Sequence, residues 1–469
     1  MTKKAFRYDM QRGLGSCIKE LKCTKNIEQF RPIILWGCNR DMEFNGQLED
    51  RSVYLYELIT EYSDCTPFID VIEKNLFQNI KHRNWVFLQD CDILSFFTFD
   101  GNERALTILE KCYEELFQIL LKKKKRADKN GFPERRNFEE LCISFIKLCF
   151  DDTARIIEYY KKIVNDIGTL IQNNTLYSAD DFEWFQTVSE KELGKKKIYD
   201  LLHHANISDA TRTYVLSIKE CREAKKEQST KENWEYPKSA EELYHYLKNE
   251  GEKEHKVHCN MVRMLMKRSD EQEIVKFAGY YEKETDIVVR KKLLQQLVDG
   301  GCAWAIESLP LITDSKSGEK ELASYAFEAL GYRKDVKVRE YAFELLKSKQ
   351  HITEAVSMLA ANYENTDCAF FVEMVKQIPI TYDNGGWHKV FYRVMDLMRD
   401  RSVKIKPKEL LPYMYHNTLC SFCREDVVKE MGRRRMLNSA LLEELLYDCN
   451  QNIREYAEQK FSLKSGKKL

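Results

Sequence analysis

The sequence predicts an all-α protein built as an α-solenoid, in which helix pairs stack in series. Three observations support this prediction. Glycine (18) and proline (8) are scarce among 469 residues, and the prolines lie tens of residues apart, which suits many helices joined by short turns. Alternating β-branched runs of strand length are hard to find. The third observation is an internal repeat between Glu319 and Ser348.

The repeat is a duplication of Tyr-Ala-Phe-Glu, at Tyr325–Glu328 and again at Tyr341–Glu344. Around each copy, apolar residues recur at i, i+3, i+4, i+7 and i+8, which places them on one face of a helix. The two stripes are Leu322, Tyr325, Ala326, Ala329 and Leu330, and Val338, Tyr341, Ala342, Leu345 and Leu346. Because such a helix pair cannot bury its face alone, it must stack on neighbouring pairs.

Residues 1–228 are predicted to form an N-terminal helical region of degenerate repeats. Helices with apolar faces are expected at Ser16–Leu21, Gln47–Tyr62, Phe68–Ile80, Phe138–Phe150 and Ala154–Ile171. Another is expected from Ala105, with an apolar face through Leu116, and it ends in the basic run Lys122–Arg126. The segment Trp85–Phe99 is apolar on several sides, so we expect it to be deeply packed. Asp100-Gly101-Asn102 breaks the chain before the helix that starts near Ala105.

The boundary between the two halves is expected in the polar segment Glu220–Lys238, which contains Pro237. Before it, weaker patterns favour helices at Asp180–Val188, Gly194–His204 and Ala210–Lys226. Residues 229–469 then form the C-terminal region, where the repeats can be recognised in the sequence.

Three short marks recur in the C-terminal region. Val289-Arg290 follows Asp286, Val338-Arg339 follows Asp335, and Ile453-Arg454 follows Asn450, each with the arginine four residues after the Asp or Asn. Asp and Asn are good N-caps, and the aliphatic residue three positions later opens the buried stripe of the helix. We expect the arginine either to stay solvated or to reach an inter-helix turn.

These marks resemble HEAT repeats over Ile274–Lys347 and again over Asn450–Phe461. The proline that many HEAT turns carry is absent here, so related armadillo-like solenoids share the likeness. The resemblance implies a right-handed α-solenoid of stacked antiparallel helix pairs. It also implies a scaffold that binds partners along a concave helical surface, and it implies no chemistry and no cofactor.

The charges are balanced, with 75 Lys+Arg and 75 Asp+Glu. This balance gives no support for wholesale binding to nucleic acid or to a membrane surface, so such binding would need a locally basic face. The longest uncharged stretch, Leu410–Cys423, is too short to span a bilayer. We expect no secretory signal, and the 15 cysteines fall repeatedly on predicted buried faces, which indicates a reduced, cytoplasmic chain.

One motif could bind a metal or act in redox chemistry. Cys420-Ser-Phe-Cys423 is a CxxC motif, and His416 precedes it by four residues. Structural zinc needs four ligands, commonly as two separated pairs, and the next cysteine, Cys449, has no partner near it. A redox CxxC opens a helix after a strand, a context that is missing here. We expect two cysteines on one helix face near the core, with zinc or redox chemistry as alternatives.

Two histidine clusters give weaker signals. His255, His258 and Cys259 lie close together, but they do not form the HExxH arrangement of a zinc protease. His203 and His204 are neighbours in a predicted helix, where adjacent side chains point apart. We therefore predict no catalytic, cofactor-binding or metal-binding residues.

Three basic runs, Lys122–Arg126, Lys195–Lys197 and Arg433–Arg435, are expected to be solvated faces or helix ends. They matter because some HEAT-like proteins are DNA glycosylases for alkylated purines. Such an enzyme needs a Lys/Arg groove for phosphates, aromatic side chains beside the base, and a carboxylate. No motif assigns a particular Asp or Trp to that role.

The sequence therefore predicts a non-enzymatic scaffold or adaptor that binds a protein or peptide on the concave face of its repeats. No glycine-rich phosphate loop or GxSxG motif is visible, which favours this class over an enzyme. The alternative is a nucleic-acid-binding protein or an alkylpurine DNA glycosylase-like enzyme on the same scaffold.

Overall fold

The structure is a computed structural model that describes residues 1–42, 51–82, 85–123, 133–173, 177–204, 206–231, 239–249, 265, 271–380 and 386–465. Within these ranges the regular elements are helices and no strand occurs, which confirms the all-α class. Helices pack in neighbouring pairs along the chain. Two compact units result: unit 1 comprises Met1–Glu232 and Leu437–Leu469, and unit 2 comprises Asn233–Met436.

These units differ from the predicted regions in two respects. The predicted boundary between residues 228 and 229 falls inside a helix, Asp209–Lys231. In addition, the predicted region 229–469 is divided between both units, because its last helices pack against the first helices of the chain. No pattern in the sequence predicts that the last helices pack against the first ones.

Unit 1 holds twelve consecutive described helices and two further ones from the C-terminal segment. They are α1 (Lys3–Arg12), α2 (Ser16–Cys23), α3 (Arg31–Cys38), α4 (Ser52–Thr60), α5 (Thr66–Asn79), α6 (Trp85–Phe99), α7 (Glu103–Lys122), α8 (Pro133–Lys147), α9 (Thr153–Asn173), α10 (Glu183–Leu193), α11 (Lys195–Leu202), α12 (Asp209–Lys231), α24 (Ser439–Leu445) and α25 (Gln451–Ser465).

Helix α7 shows how closely local sequence decides these elements. Asn102 caps it by accepting a hydrogen bond from the Ala105 amide, and its predicted apolar face is buried from Ala105 through Leu116. The predicted deep packing of α6 is also confirmed, since buried residues occur on all sides of that helix. The helix predicted at Gln47–Tyr62 is shorter in the described residues, where it begins at Ser52.

The C-terminal segment of unit 1 docks on the turn between α1 and α2. The amide of Cys449 donates to the carbonyl of Gly13 at 2.9 Å. A Cβ at Gly15 would lie 1.9 Å from the carbonyl oxygen of Glu444, so this close approach requires glycine. Arg454 on α25 pairs with both carboxylate oxygens of Glu57 on α4, at 2.5 and 2.7 Å.

Unit 2 is made of shorter helices. They are α13 (Ala240–Asn249), α14 (Glu271–Lys283), α15 (Ile287–Asp299), α16 (Ser308–Ser315), α17 (Lys320–Leu330), α18 (Val336–Ser348), α19 (Ile352–Ala361), α20 (Cys368–Gln377), α21 (Gly386–Arg399), α22 (Pro407–Asn417) and α23 (Ser421–Arg433).

The helices of unit 2 form two layers in alternation. Helices α13, α15, α17, α19, α21 and α23 pack side by side in one layer. Contacts such as Tyr281 to Asp314, the stack of Phe343 on Phe370, and Lys376 to Glu409 join α14, α16, α18, α20 and α22 in the other. Consecutive helices therefore lie in opposite layers.

The sequence predicts that α17 and α18 pack against each other as a pair, but in the structure each packs mainly on its other neighbour along the chain. Helix α17 packs most extensively on α16, and α18 packs most extensively on α19. The reason is α16, a helix of eight residues that contains Pro310 and shows no stripe in the sequence. Because of it, the marks at Asp286 and Asp335 open helices in opposite layers.

The apolar stripes themselves are confirmed. All five predicted stripe residues of α18 are buried, and on α17 only Tyr325 is partly exposed. The predicted N-caps are confirmed as well. Asp286 accepts hydrogen bonds from the amides of Val288 and Val289, and Asp335 accepts one from the amide of Lys337.

Each marked arginine reaches a turn rather than solvent. Arg290 donates to the carbonyl of Tyr281 at 2.8 Å and to the carboxylate of Asp314 at 2.7 Å. Arg339 donates to the carbonyl of Asn362 at 2.9 Å and to the carboxylate of Asp367 at 2.6 Å. These bonds add donor partners for carbonyls at the C-terminal ends of helices, where intrahelical hydrogen bonds run out.

In the described part of the chain, no helix combines the length and the apolar character needed to cross a membrane.

Candidate functional site

Unit 2 carries a surface cleft that spans three successive helices of one layer. Its cavity is about 400 Å³ and lies across α17, α19 and α21. Two tyrosines at its rim, Tyr332 and Tyr392, are 63% and 44% exposed. We call this surface the tyrosine cleft, and it is lined by Ser324, Phe327, Glu328, Tyr332, Thr353, Glu354, Ser357, His388, Val390, Tyr392, Arg393 and Asp396.

The charges of the tyrosine cleft are mainly acidic. Glu328, Glu354 and Asp396 supply three carboxylates, one from each helix, whereas Arg393 is the cleft's one Lys or Arg among the described lining residues. The guanidinium of Arg393 lies over the Tyr332 ring at 3.7 Å from its centroid. The cleft thus offers aromatic faces beside carboxylates. This combination suits a ligand that is positively charged, or one that carries a positive charge beside an apolar group.

A cluster of possible metal ligands adjoins the tyrosine cleft. It consists of His388 on α21 with Cys420 and Cys423 at the start of α23, and the three ligand atoms lie within 4.8 Å of one another. Cys423 Sγ is 3.3 Å from His388 Nδ1. We call this the Cys–His cluster. Both cysteines are buried, and the histidine is partly exposed and also lines the cleft.

Local structure explains why the two cysteines converge. Cys420 is the N-cap of α23, and its sulfur accepts a hydrogen bond from the Cys423 amide at 3.5 Å. A residue at the N-cap and one three positions later lie on the same side of the first turn. The CxxC spacing therefore turns both sulfurs toward the same point, as the sequence predicts for cysteines on one helix face.

His388 is held at that point by its neighbours. Trp387 is buried and donates from Nε1 to Thr418 Oγ1 at 3.1 Å, which joins the first turn of α21 to the segment that leads into α23. The Tyr392 ring packs edge-on against the imidazole, with 5.6 Å between centroids. The first contact holds the start of the helix that carries His388, and the second packs a ring against its imidazole.

The surroundings of the Cys–His cluster favour the protonated form of the Cys423 thiol in the absence of a cation. The hydrogen bond from Cys420 and burial both raise the pKa of the Cys423 thiol above its ordinary value. Burial, with a smaller effect of Cys423, raises the pKa of Tyr392 to about 12. Neither group is therefore set up as a thiolate or phenolate nucleophile at neutral pH.

The structure separates the histidines that the sequence offered as ligands. His416 is exposed in the last turn of α22 and is not part of the Cys–His cluster. His203 and His204 are exposed at the end of α11, and His255, His258 and Cys259 lie outside the described residues. Sequence reasoning missed His388, because it stands alone 32 residues before Cys420.

One of the three predicted basic runs joins other cations in space. Arg433 and Arg434 line a cavity of about 430 Å³ together with Arg399 and Arg401. Acids moderate its charge, since Glu430 pairs with Arg434 at 2.8 Å and Arg399 pairs with Asp426 at 3.3 Å. We call this surface the arginine pocket, and its described lining contains no aromatic residue.

The other two runs behave as ordinary solvated segments where they are described. Lys195–Lys197 are exposed in the first turn of α11. Of Lys122–Arg126, only Lys122 and the following Lys123 are described, and Lys123 pairs with Glu134 at 2.6 Å.

Comparison with known proteins gives no family assignment. No protein-family model matches the chain, and no curated protein is significantly similar to it in sequence.

Proposed function

We propose that the chain is a non-enzymatic, HEAT-like helical scaffold that binds a protein or peptide partner through the tyrosine cleft. The observation that supports this most directly is the presence of two exposed tyrosines on one surface with three carboxylates. Tyrosine is enriched at protein interfaces because its large ring contacts a partner with little loss of conformational freedom. The carboxylates favour a segment that carries Lys or Arg beside an apolar residue.

The layered packing supports the same proposal. Each of the three helices contributes one carboxylate, so the cleft presents one negative charge from each successive helix of the layer. An extended peptide could contact all three helices at once, with its alternate side chains facing the surface. Such a surface needs no bound cofactor and no catalytic group.

The test is a peptide-display selection on the purified full-length chain, followed by affinity measurements on the selected peptides. We expect peptides with Lys or Arg next to an aromatic or aliphatic residue. Tyr332→Ala and Tyr392→Ala should each weaken binding roughly tenfold or more, as truncation of an interface anchor does. The control is Tyr199→Ala, a tyrosine of unit 1 that is 60% exposed.

Selected peptides that bind both cleft variants as tightly as the wild type would contradict the proposal. So would a selection dominated by acidic peptides, because the carboxylates of the cleft would repel them.

The arginine pocket supports a second candidate function, the binding of a nucleic acid or another polyanion. Four arginines around one cavity can bind phosphate through bidentate hydrogen bonds. The absence of aromatic side chains from the described lining argues against base excision there, since that chemistry needs a stacking surface for the flipped base.

A labelled single-stranded oligonucleotide separates the two functions. If the arginine pocket binds it, affinity falls steeply as salt is raised and Arg401→Gln weakens it further. Absence of binding at low salt removes this candidate and leaves the peptide-binding proposal untouched.

A further inference from the structure

We propose that the Cys–His cluster binds one Zn²⁺ ion through Cys420 Sγ, Cys423 Sγ and His388 Nδ1, with water in the fourth position. Thiolate and imidazole are the ligands that zinc prefers in proteins, and three protein ligands with a water are a known zinc arrangement. This inference does not depend on the proposed peptide-binding function.

The distances fit a tetrahedral site with little movement. Zn–S bonds of about 2.3 Å and Zn–N bonds of about 2.0–2.1 Å place two sulfurs about 3.8 Å apart, and sulfur and nitrogen about 3.5 Å apart. Here Cys423 Sγ and His388 Nδ1 are 3.3 Å apart, and no pair in the cluster exceeds 4.8 Å. Shifts of about 1 Å or less in side-chain position therefore complete the geometry.

The site is built rather than accidental, because three independent features hold it. The N-cap geometry of α23 fixes both cysteines, and the bond from Trp387 to Thr418 ties the histidine's helix to the approach of α23. The edge-on contact with Tyr392 orients the imidazole. Outer contacts of this kind fix the orientation of metal ligands and raise affinity.

Zinc binding at this site is a proton exchange. Two Zn–S bonds and one Zn–N bond form, and two S–H bonds break, so that two protons leave to solvent for each ion bound. The neutral imidazole contributes its lone pair and loses no proton. The oxidation states of zinc and sulfur do not change.

The location of the site gives zinc a structural consequence. Bonds from one zinc ion to His388, Cys420 and Cys423 would tie α21 to α23 within one layer of unit 2. The partly exposed histidine also lines the tyrosine cleft, so the zinc site would adjoin that cleft.

The experiment titrates the reduced, metal-free full-length chain with Co²⁺ and then with Zn²⁺. Co²⁺ serves as a spectroscopic substitute, because thiolate ligands give it an intense near-ultraviolet charge-transfer absorption. We expect one equivalent of Co²⁺ to bind and to produce that absorption. Added Zn²⁺ should then displace the Co²⁺ and abolish the absorption. Calorimetry in buffers of different ionisation enthalpy should give two protons released per Zn²⁺.

Two variants and two matched controls locate the site. His388→Gln and Cys423→Ser should each weaken Zn²⁺ binding by more than the roughly 10–100-fold that outer-shell changes cost. His416→Gln replaces the histidine nearest the motif in sequence, and Cys368→Ser replaces a partly buried cysteine elsewhere in unit 2. Both controls should bind Zn²⁺ like the wild type.

Three results would overturn the proposal. One is a wild-type chain that binds less than one equivalent or shows no thiolate absorption. Another is a His388→Gln variant with unchanged affinity and an unchanged cobalt spectrum. The third is an equal loss in His416→Gln, which would move the site to a different histidine. Because His388 and His416 both have exposed surface, these two variants are expected to fold, and circular dichroism without metal checks this.

Discussion

Asp90 is a fully buried carboxyl group in unit 1. It lies on α6, and neither of its carboxylate oxygens has a hydrogen-bond partner among the described residues. Burial raises its pKa well above the ordinary value. The Cys38 thiol is nearby, and its own pKa is raised by burial and then by Asp90. Burial therefore favours the protonated, uncharged form of Asp90 in the folded chain.

This makes Asp90→Asn a stabilising change that depends on pH. Below the unfolded pKa of about 4, both side chains are neutral and the two proteins should be similarly stable. As pH rises toward the raised folded pKa, the wild type loses stability by up to about 1.4 kcal/mol per pH unit, and the variant does not.

Chemical denaturation of both proteins across a pH series checks this. The exposed Asp151→Asn serves as the control and should show no such trend. A constant difference between Asp90→Asn and the wild type over the whole series would show that Asp90 is ionised in the folded state.

His388 shows why single residues of the Cys–His cluster could be predicted only in part. The CxxC motif places Cys420 and Cys423 on one helix face from spacing alone, and the structure has them there. The histidine comes from a different helix, and its partner is chosen by how α21 and α23 pack in one layer. Spacing in the sequence instead favours His416, which lies on the exposed side of α22.

Among the helices, α9 and α12 form a contact that depends on one glycine. A Cβ at Gly168 would lie 1.9 Å from the carbonyl oxygen of Ala210, which is backbone and cannot rotate away. Gly279 on α14, by contrast, faces open space, because no atom lies within 4 Å of a Cβ built there.

We therefore expect opposite effects from the same substitution. Gly168→Ala should destabilise unit 1 by about 1–3 kcal/mol, because the helices must separate to admit the methyl group. Gly279→Ala should stabilise unit 2 by up to about 1 kcal/mol, because alanine has the higher helix propensity. Urea unfolding of both variants measures the difference. Equal destabilisation by the two would contradict the close approach of α9 and α12.

The helices were predictable where a stripe and a cap coincide. Helix α18 has both, with Asp335 at its start and five buried stripe residues, and its bounds agree with the repeat that the sequence displays. Helix α16 has eight residues and an internal Pro310, which is too short for a periodic pattern to emerge. Missing that helix is what offset the predicted pairing by one.

Over the whole chain, unit 1 is discontinuous in sequence. Its C-terminal segment returns to the first helices through a partly buried ion pair between Arg454 and Glu57 and through the backbone bond from Cys449 to Gly13. An exposed pair, Lys19 with Glu443 at 2.7 Å, joins the same two parts of the chain. A periodic array read from sequence contains no information on such a long-range closure.

Loss of the partly buried pair between Arg454 and Glu57 should weaken unit 1 selectively. Arg454→Ala leaves Glu57 without its partner and is expected to cost about 1–3 kcal/mol, whereas Lys19→Ala at the exposed pair should cost at most about 1 kcal/mol. Hydrogen exchange followed by mass spectrometry would show faster exchange in α1–α4 and α25 of the Arg454 variant. Faster exchange in α14–α23 instead would contradict the assignment of residues 437–469 to unit 1.

The discontinuity of unit 1 also sets an order of events during synthesis. When a ribosome has added residue 436, every residue of unit 2 has been made, but unit 1 still lacks α24 and α25. At that stage the turn around Gly13 to Gly15 lacks the segment around Glu444 that packs on it, and the carboxylate of Glu57 lacks Arg454. Domains usually complete from the N-terminus onward during translation, and in this chain the second unit is completed first.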